Sequence, residues 1–437
     1  MVGQRCPVCG QGRLYGVPPG VEIRLDGNAL LSAIRYEVEK LRCSACGQGC
    51  TAPLPADAGP EKYSPRARAV LAVGRYDLGL PLYRMESYQA MLGVPVPDAT
   101  QWDQIERVAD SGSVVFAYLE PLAAQGELIY QDDTAVRILS LSEANHQAQA
   151  HAEARGLART PERTGMYTMA LVVKVGERMV CLYDCGRAHA GENLAALLTK
   201  REAVHEQPLV MSDALSSNEA DETTLSRGHC LAHGRRKCSE LEEVFPQECP
   251  VVLDVLKQVF DPDEAVRGPQ RSAQERLVYH QVYSGPLMAG LQRWLQQQCD
   301  ERLVEPHSSL GKAIAYLVGH WETLTRFLSL PGAPLDNNLV ERALQLCIRQ
   351  RKNSLFYATE HSAYIASVLT SLIATCLQAG GNALEYLVAL QEHRAEVFAA
   401  PEAWLPWTYQ ARLVRLRSRG ANPGPSGPAP DRHATAQ

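Results

Sequence analysis

Apolar residues follow two rhythms along this chain. From Ser64, a capping residue followed by Pro65 at the first helical position, the segment PRARAVLAVGRYDLGLPLYRMESYQAMLG places them at helical spacing, with breaks at Gly79–Pro81 and at Gly93. A third short helix is expected from Asp98, and a longer one from about Trp102 to Leu119, ended by Pro121. Three short helices with tight breaks read as a helix-turn-helix-like unit, although small helical linkers share the pattern. The rhythm then changes. ELIYQDDTAVRIL, MYTMALVVKVGERMVCLYDC and PLVMSDALSS are apolar, β-branched runs bounded by polar turns, and they predict strands. Residues 145–164 are polar and predict an exposed loop between the first strands.

Beyond Ser239 the pattern is helical again, and GKAIAYLVGHWETLTRFL predicts one amphipathic helix with Ile314, Leu317, Trp321, Leu324 and Leu328 on one side. Further helix is expected to about residue 394. The Pro/Gly-rich tail SRGANPGPSGPAPDRHATAQ predicts disorder. The expected organisation is multidomain α/β: a cysteine-rich module over 1–52, a helical region over 60–123, a strand-bearing part over 124–238, helices over 239–310 and 311–394, and a terminal segment over 395–437. No internal repeat is visible.

Composition narrows the class. With 437 residues, 46% hydrophobic and 21% charged, the chain has ample material for buried cores, so global disorder is excluded. No run reaches the ~18–20 apolar residues that cross a bilayer, and MVGQRCPVCG lacks an apolar signal core, so a cytoplasmic protein without membrane contact is expected. The net charge of −6 argues against indiscriminate polyanion binding, but it hides three basic windows free of acids. These hold Arg227, Arg235, Arg236 and Lys237; Arg342, Arg349, Arg351 and Lys352; and Arg412, Arg415, Arg417 and Arg419. Such concentration suits a protein that touches phosphates at a few places, whereas any one window also fits a solvated helix face.

The 13 cysteines of a reduced compartment are metal ligands or core residues before they are disulfides. Cys6-Pro-Val-Cys9-Gly and Cys43-Ser-Ala-Cys46-Gly form two knuckles, and four thiolates suit one tetrahedral, structural Zn²⁺. Their separation predicts a strand-rich excursion around VEIRLDGNAL, and Cys50 is a spare ligand.

Acids stand where strands and helices end. Asp132 and Asp133 close LIYQ, Asp213 closes LVMS, and Glu341 lies in LDNNLVERALQLCIRQRKN. A charge at the end of an apolar strand is costly unless paired or metal-bound. Three carboxylates from two strands and a helix can hold two Mg²⁺ or Mn²⁺ ions, the arrangement that cleaves phosphodiesters. Each acid alone also fits a turn or cap, and Asn338 with Glu341 three residues on reads as a capping pair. On the same helix Leu339, Ala343, Leu346 and Cys347 predict an apolar stripe, while Arg342, Gln345, Arg349 and Lys352 predict a basic one suited to phosphates.

His229-Cys230-Leu-Ala-His233-Gly-Arg235-Arg236-Lys237 follows the Asp213 strand. Its Cys and His can bind zinc with Cys238 or Cys185. In the other reading Cys230 packs in the core, His233 bonds a phosphate or a nearby acid, and the basic triplet contacts DNA.

At these residues the chain resembles the transposases of the insertion sequence 66 family, bacterial enzymes with three catalytic acids on a ribonuclease-H-like core. The resemblance is carried by LPLYR at 80–84, QDDT at 131–134, HCLAHGRRK at 229–237, SSLGKAIAYLVGHWETLTRFL at 308–328 and DNNLVERALQLCIRQRKNSLF at 336–356, and it extends from the CPVCG knuckle to the AWLPW segment containing Trp404. It implies catalytic roles and Mg²⁺ ligation for Asp132, Asp213 and Glu341, with Asp133 standing where the family usually has Glu. Strand alternation allows only one of the neighbours Asp132 and Asp133 to be a ligand, and the family position alone selects Asp132. Cys230 and His233 match the family's C-x-x-H element. The helices from Ser239 to Leu310 resemble the insertion that splits the core, and the knuckles resemble its zinc domain. Expected partners are double-stranded DNA at transposon ends and target sites, at least one further copy of the chain on DNA, and accessory transposon proteins, near the bacterial nucleoid. The family's frequent coiled-coil-like segment ahead of the zinc domain has no counterpart before Cys6, so self-association is expected to use other surfaces. Residues 140–165 are longer and more polar than the family's usual first hairpin. Two other functions fit parts of the pattern: a catalytically silent or domesticated DNA-binding derivative, and a zinc hydrolase working through Asp132, His229 and His233.

Overall fold

The computed structural model describes residues 3–15, 29–215, 225–266 and 271–420. The predicted excursion between the knuckles falls largely on residues 16–28, and most of the predicted tail on 421–437; both lie outside the described residues. In the N-terminal module β1 (Lys40–Arg42) and β2 (Gly49–Thr51) form an antiparallel hairpin carrying the second knuckle. Leu31 ties this module to the next, since its backbone N–H and C=O both bond the side-chain amide of buried Gln89.

Three helices follow: α1 (Pro65–Tyr76), α2 (Leu82–Met91) and α3 (Asp98–Ala124). Ser64 caps α1 as its sequence predicts, its hydroxyl accepting from Ala67 N–H at 3.2 Å. The expectation of separate helices around Asp98 and Trp102, ended by Pro121, is corrected: α3 is continuous and contains Pro121 in its last turn. A proline there removes one hydrogen bond near a helix end, while Val115, Phe116, Leu119 and Ala123 remain buried in the main core.

A five-stranded mixed sheet forms the centre. β3 (Leu128–Ala135), β4 (Tyr167–Val175), β5 (Arg178–Gly186), β6 (Leu209–Ser212) and β7 (Ser226–His229) lie in the order β5-β4-β3-β6-β7. β4 is antiparallel to β3 and β5, whereas β3, β6 and β7 run parallel. Between β3 and β4 runs α4 (Leu139–Ala154), where a loop was expected over 145–164. Its Ala, Gln and Glu residues favour helix without an apolar face, and polarity conceals that propensity. Asn145 and Gln149 on α4 bond the returning segment at Thr164 and Thr160. α5 (Ala190–Leu198) connects β5 to β6.

After β7 the chain leaves the sheet through α6 (Leu231–Ser239), α7 (Glu248–Val266), α8 (Ala273–Tyr279), α9 (Gly285–Asp300), α10 (Ser309–Gly319) and α11 (Trp321–Leu324). These helices close a core of their own around Val252, Leu256, Leu291, Leu295, Ile314, Leu317 and Phe327. The single helix predicted over 311–328 is broken at Gly319–His320, where Thr323 bonds the His320 carbonyl and His320 packs edge-on to His229. α6 approaches α10 so closely that a Cβ on Gly234 would come within 2.7 Å of Leu317.

The chain then returns as α12 (Asn338–Ser354) to lie on one sheet face, where Val340, Leu344 and Cys347 pack on Tyr130, Ala170, Val172, Cys181 and Tyr183. On the other face Ile129, Leu171, Val173 and Leu182 join α1, α3, α5, α13 (Glu360–Gln378) and α14 (Ala383–Glu392) in the main core. α15 (Arg394–Ala399) and α16 (Tyr409–Gly420) complete the described chain.

Both sheet edges are hydrogen-bonded by side chains. Along β5 the Ser371 hydroxyl of α13 accepts from Tyr183 N–H at 2.9 Å, and Thr375 accepts from Cys181 N–H at 3.0 Å and donates to its C=O at 3.1 Å. Along β7 the Arg326 Nε donates to the Arg227 carbonyl at 2.8 Å.

Candidate functional site

β3 and β6 are parallel partners in the register Leu128–Leu209, Ile129–Val210 and Tyr130–Met211. Two residues further along, the register brings Asp132 level with Asp213: Asp213 directly follows the end of β6, whereas Asp132, expected to close its strand, stands inside β3, which runs on to Ala135 because β4 continues to pair with it. Strand alternation gives Asp132 the face of Tyr130 and Ala170, the face that α12 covers. Glu341, in the first turn of α12, reaches the same place from above. Burial, followed by the charge of Asp213, pushes the Asp132 carboxyl up to about 7; the Asp133 N–H, donating to its Oδ1 at 2.8 Å, opposes this, and the charges of Glu341 and Asp133 add to it. Burial and like charge both disfavour the ionised form of this carboxyl.

Asp133 takes the opposite face and has other work. Its Oδ2 lies 2.9 Å from His189 Nδ1 and accepts from Ala190 N–H at 3.1 Å, at the start of α5. His189 was not singled out by the sequence, because nothing in its neighbourhood signals a partner on a distant strand.

The start of α12 corrects the predicted cap. Asn337, not Asn338, stands at the N-cap position, and its side chain makes no capping bond: it is fully buried and donates to the Gln131 carbonyl of β3 at 3.0 Å. Asn338 is exposed, and its N–H bonds the Asp336 carboxylate at 3.2 Å. The Asn337 amide is thereby used to fix α12 to the strand that carries Asp132. The deepest stripe is Val340, Leu344 and Cys347, with Leu339, Ala343 and Leu346 partly buried beside it. Arg342, Gln345, Arg349 and Lys352 are exposed along the outer side, as expected from their spacing. Arg351 differs: its guanidinium bonds the Thr134 hydroxyl at 2.9 Å and the Ala135 carbonyl.

Facing Glu341, α6 brings His233, whose Nδ1 lies 3.7 Å from Glu341 Oε1. Cys230, the residue before α6, is fully buried; its thiol, pushed up to about 11 by burial, accepts from Asn337 N–H at 3.2 Å. A cleft of about 80 Å³ is lined by Ala232, His233, Arg236, Asn338 and Glu341. Arg235, Arg236 and Lys237 are exposed, and the Lys237 ammonium sits 4.5 Å above the Tyr316 ring. Among the described residues, three donors with atoms all within 4.8 Å of one another occur only at Cys230, His233 and Glu341. The three acids are more widely spread than this, and so are the four knuckle thiols.

The other expected zinc sets are likewise not gathered. Cys238 packs with buried Cys249, Cys185 meets the Thr168 hydroxyl at 3.1 Å, and His229 turns to Thr323 at 2.8 Å. Within the first knuckle the N–H groups of Gly12 and Gln11 and the Cys6 thiol hold Cys9 below the usual thiol range; in the second the N–H groups of Cys46 and Ala45 and the Cys46 thiol do the same for Cys43. Ser284, His280 and Asp263 line up at 3.0 and 2.9 Å like a nucleophile triad, but each is at most 2% exposed, so no substrate reaches Ser284.

Residues 61–364 match the family described as Transposase IS66 family. The chain belongs to the IS66 transposase family. Three proteins of Sinorhizobium fredii (strain NBRC 101917 / NGR234), each named only as uncharacterized, are among its relatives. One, y4jD, is 24% identical over 94% of this chain and 79% of its own length. Another, y4qI, is 26% identical over 80% of this chain and 63% of its own length. The third, y4hP, is 24% identical over 85% of this chain and 67% of its own length. Of the segments that carry the IS66 resemblance, QDDT, HCLAHGRRK and the DNN start of α12 converge on the Asp132–Glu341 region. No described helix is long and apolar enough to cross a membrane.

Proposed function

We propose that this IS66 family member is a DNA transposase in which Asp132, Asp213 and Glu341 are the catalytic acids. What carries the reading is the meeting of β3 and the end of β6, in parallel register, with the first turn of α12, where burial and then the charge of Asp213 raise the Asp132 carboxyl to about 7. An all-oxygen acid set of this kind fits two Mg²⁺ or Mn²⁺ ions, which when bound would activate an attacking oxygen and stabilise the leaving one. The strand order, with β4 antiparallel, fits a ribonuclease-H-like core interrupted by the helices between α6 and α12.

In this reading water attacks the phosphodiester at the element's end, and the freed 3′-hydroxyl then attacks target DNA. Asp132 and Asp213 are fixed by the sheet, and Asn337 fixes α12 and with it Glu341. Arg342, Arg349 and Lys352, with Arg235, Arg236 and Lys237, hold the DNA backbone. Cys6, Cys9, Cys43 and Cys46 hold one structural Zn²⁺, a role favoured by the backbone N–H groups turned toward Cys9 and Cys43. At least two copies act together on a pair of ends, with accessory transposon proteins as further partners. The test is cleavage of the element's own ends in Mg²⁺: the wild type cuts, and Asp132→Ala, Asp213→Ala and Glu341→Ala each abolish cutting. Normal cutting by all three would overturn the assignment.

A further inference from the structure

We propose that Cys230, His233 and Glu341 form a second metal site, selective for a borderline ion such as Zn²⁺, which when filled takes Glu341 away from Asp132 and Asp213. The binding stands on its own; the consequence for DNA cleavage rests on the transposase reading.

Three observations carry it. The donor atoms of these residues lie within 4.8 Å of one another, although Cys230 and His233 come from the start of α6 and Glu341 from α12. The Nδ1 atom of His233 is buried and has no hydrogen-bond partner, and at 3.7 Å from Glu341 Oε1 it is beyond hydrogen-bond reach. A buried imidazole nitrogen in that state is explained by an ion that it ligates. Third, the Cys230 sulfur accepts from the Asn337 N–H at 3.2 Å, the outer-shell bond that orients a metal-bound sulfur.

One sulfur, one imidazole nitrogen and one carboxylate oxygen make a set that Mg²⁺ disfavours and Zn²⁺ accepts. The cleft between Ala232, Arg236 and Asn338 gives an ion a path to His233 and Glu341, and leaves room for a water as the remaining ligand. On binding, the sulfur–zinc bond replaces the sulfur–hydrogen bond and the proton passes to solvent; no electron is transferred. Glu341 is then shared between two demands, so rising zinc opposes the Mg²⁺-dependent reaction.

The test counts metal in the full chain without DNA. Protein dialysed against buffered free Zn²⁺ is expected to hold one ion per chain more in the wild type than in Cys230→Ser or His233→Asn, while Cys43→Ser loses only the knuckle's metal. His233 is half-buried, so its variant keeps the comparison open if the buried Cys230→Ser does not fold. Glu341→Gln should weaken the extra site by more than about tenfold. Equal zinc content in the wild type and His233→Asn overturns the site. In a parallel Mg²⁺ cleavage assay, activity should fall as free Zn²⁺ rises, and cleavage insensitive to zinc at occupancies where the extra ion is bound overturns the inhibitory role. An extra ion in a chain that never cleaves DNA supports the site and removes the transposase reading; Mg²⁺-dependent cleavage without the extra ion does the reverse.

Discussion

Asp133 Oδ2 lies 2.9 Å from His189 Nδ1, so the second of two adjacent acids is joined to the start of α5 while the first points toward Asp213. Replacing Asp133 by Ala is expected to cost about 0.5–2 kcal/mol of stability, the usual worth of a helix-start carboxylate, with strand cleavage only mildly reduced. Asp132→Asn is expected to do the opposite, keeping or raising stability while abolishing cleavage. Urea unfolding beside a cleavage assay separates them, and a full loss of cleavage in Asp133→Ala at unchanged stability would reverse the assignment.

The raised Asp132 carboxyl makes metal binding visible without DNA. Its folded value of about 7 lies above the ordinary 3.8, so the folded state holds this proton more tightly and loses that advantage as pH rises from about 4 through about 7. Divalent ions repay most where the acids are ionised. Mg²⁺ at about 100 times its dissociation constant should stabilise the fold by roughly 2.7 kcal/mol. The shift in melting temperature should be larger at about pH 8 than at about pH 5.5, and Asp132→Asn should abolish it.

His229 titrates in the opposite sense. Burial, then the neighbouring His320 charge, lowers it to about 4, so it is neutral in the folded chain. The stability this contributes is complete above the unfolded value near 6.5 and is lost as pH falls toward about 4, by roughly 1–3 kcal/mol. Other groups titrate in the same window, so the comparison is with His229→Gln, whose melting temperature should fall less between those pH values. Parallel curves would show that His229 is protonated already in the fold.

Removing the hydroxyls that line β5 should be costly. In Ser371→Ala with Thr375→Val, the N–H groups of Cys181 and Tyr183 and one carbonyl lose their partners in a buried setting. The expected loss is about 1–3 kcal/mol for each group left unsatisfied, read from denaturant midpoints. A loss below about 1 kcal/mol in the double variant would mean that water or a shifted helix replaces those bonds.

The outer side of α12 gives a salt-dependence test. Arg342→Ala, Arg349→Ala and Lys352→Ala should each weaken DNA binding across sequences and reduce the slope of log affinity against log salt by about 1. Arg351→Ala should leave that slope unchanged and cost stability instead, because its guanidinium is spent on Thr134 and Ala135. Equal slopes in all four variants would remove α12 from the DNA-contacting surface.

These comparisons show what local pattern can carry. β3, β4 and β5 were legible because long β-branched runs between polar turns allow little else. The four residues of β7, Ser-Arg-Gly-His, have no strand signature and are ordered by pairing with β6. α4 was hidden by the opposite fault, since a polar helix anchored by Asn145 and Gln149 shows no apolar face. At the site, the acids were picked out one by one because a charge ending an apolar run is conspicuous. The choice between Asn337 and Asn338 was not visible, since it depends on which amide reaches the Gln131 carbonyl, a contact 206 residues distant in sequence. That His233 would stand near an acid was legible from its place in HCLAHGRRK, but which acid, Glu341, was not. Their approach exists only because the helices between α6 and α12 close their own core and return the chain to the point where it left the sheet.

The covered edges of the central sheet carry a further consequence. Among the described residues, α13 hydroxyls bond Cys181 and Tyr183 of β5 and the Arg326 guanidinium bonds the Arg227 carbonyl of β7, so these backbone groups on the two outer strands are already used and do not invite an added strand. If copies of the chain join two DNA ends as proposed, their contacts are expected at helical or loop surfaces, or through the DNA itself. The same side-chain bonds hold the outer strands of the sheet in place beside β3 and β6, whose register sets Asp132 level with Asp213.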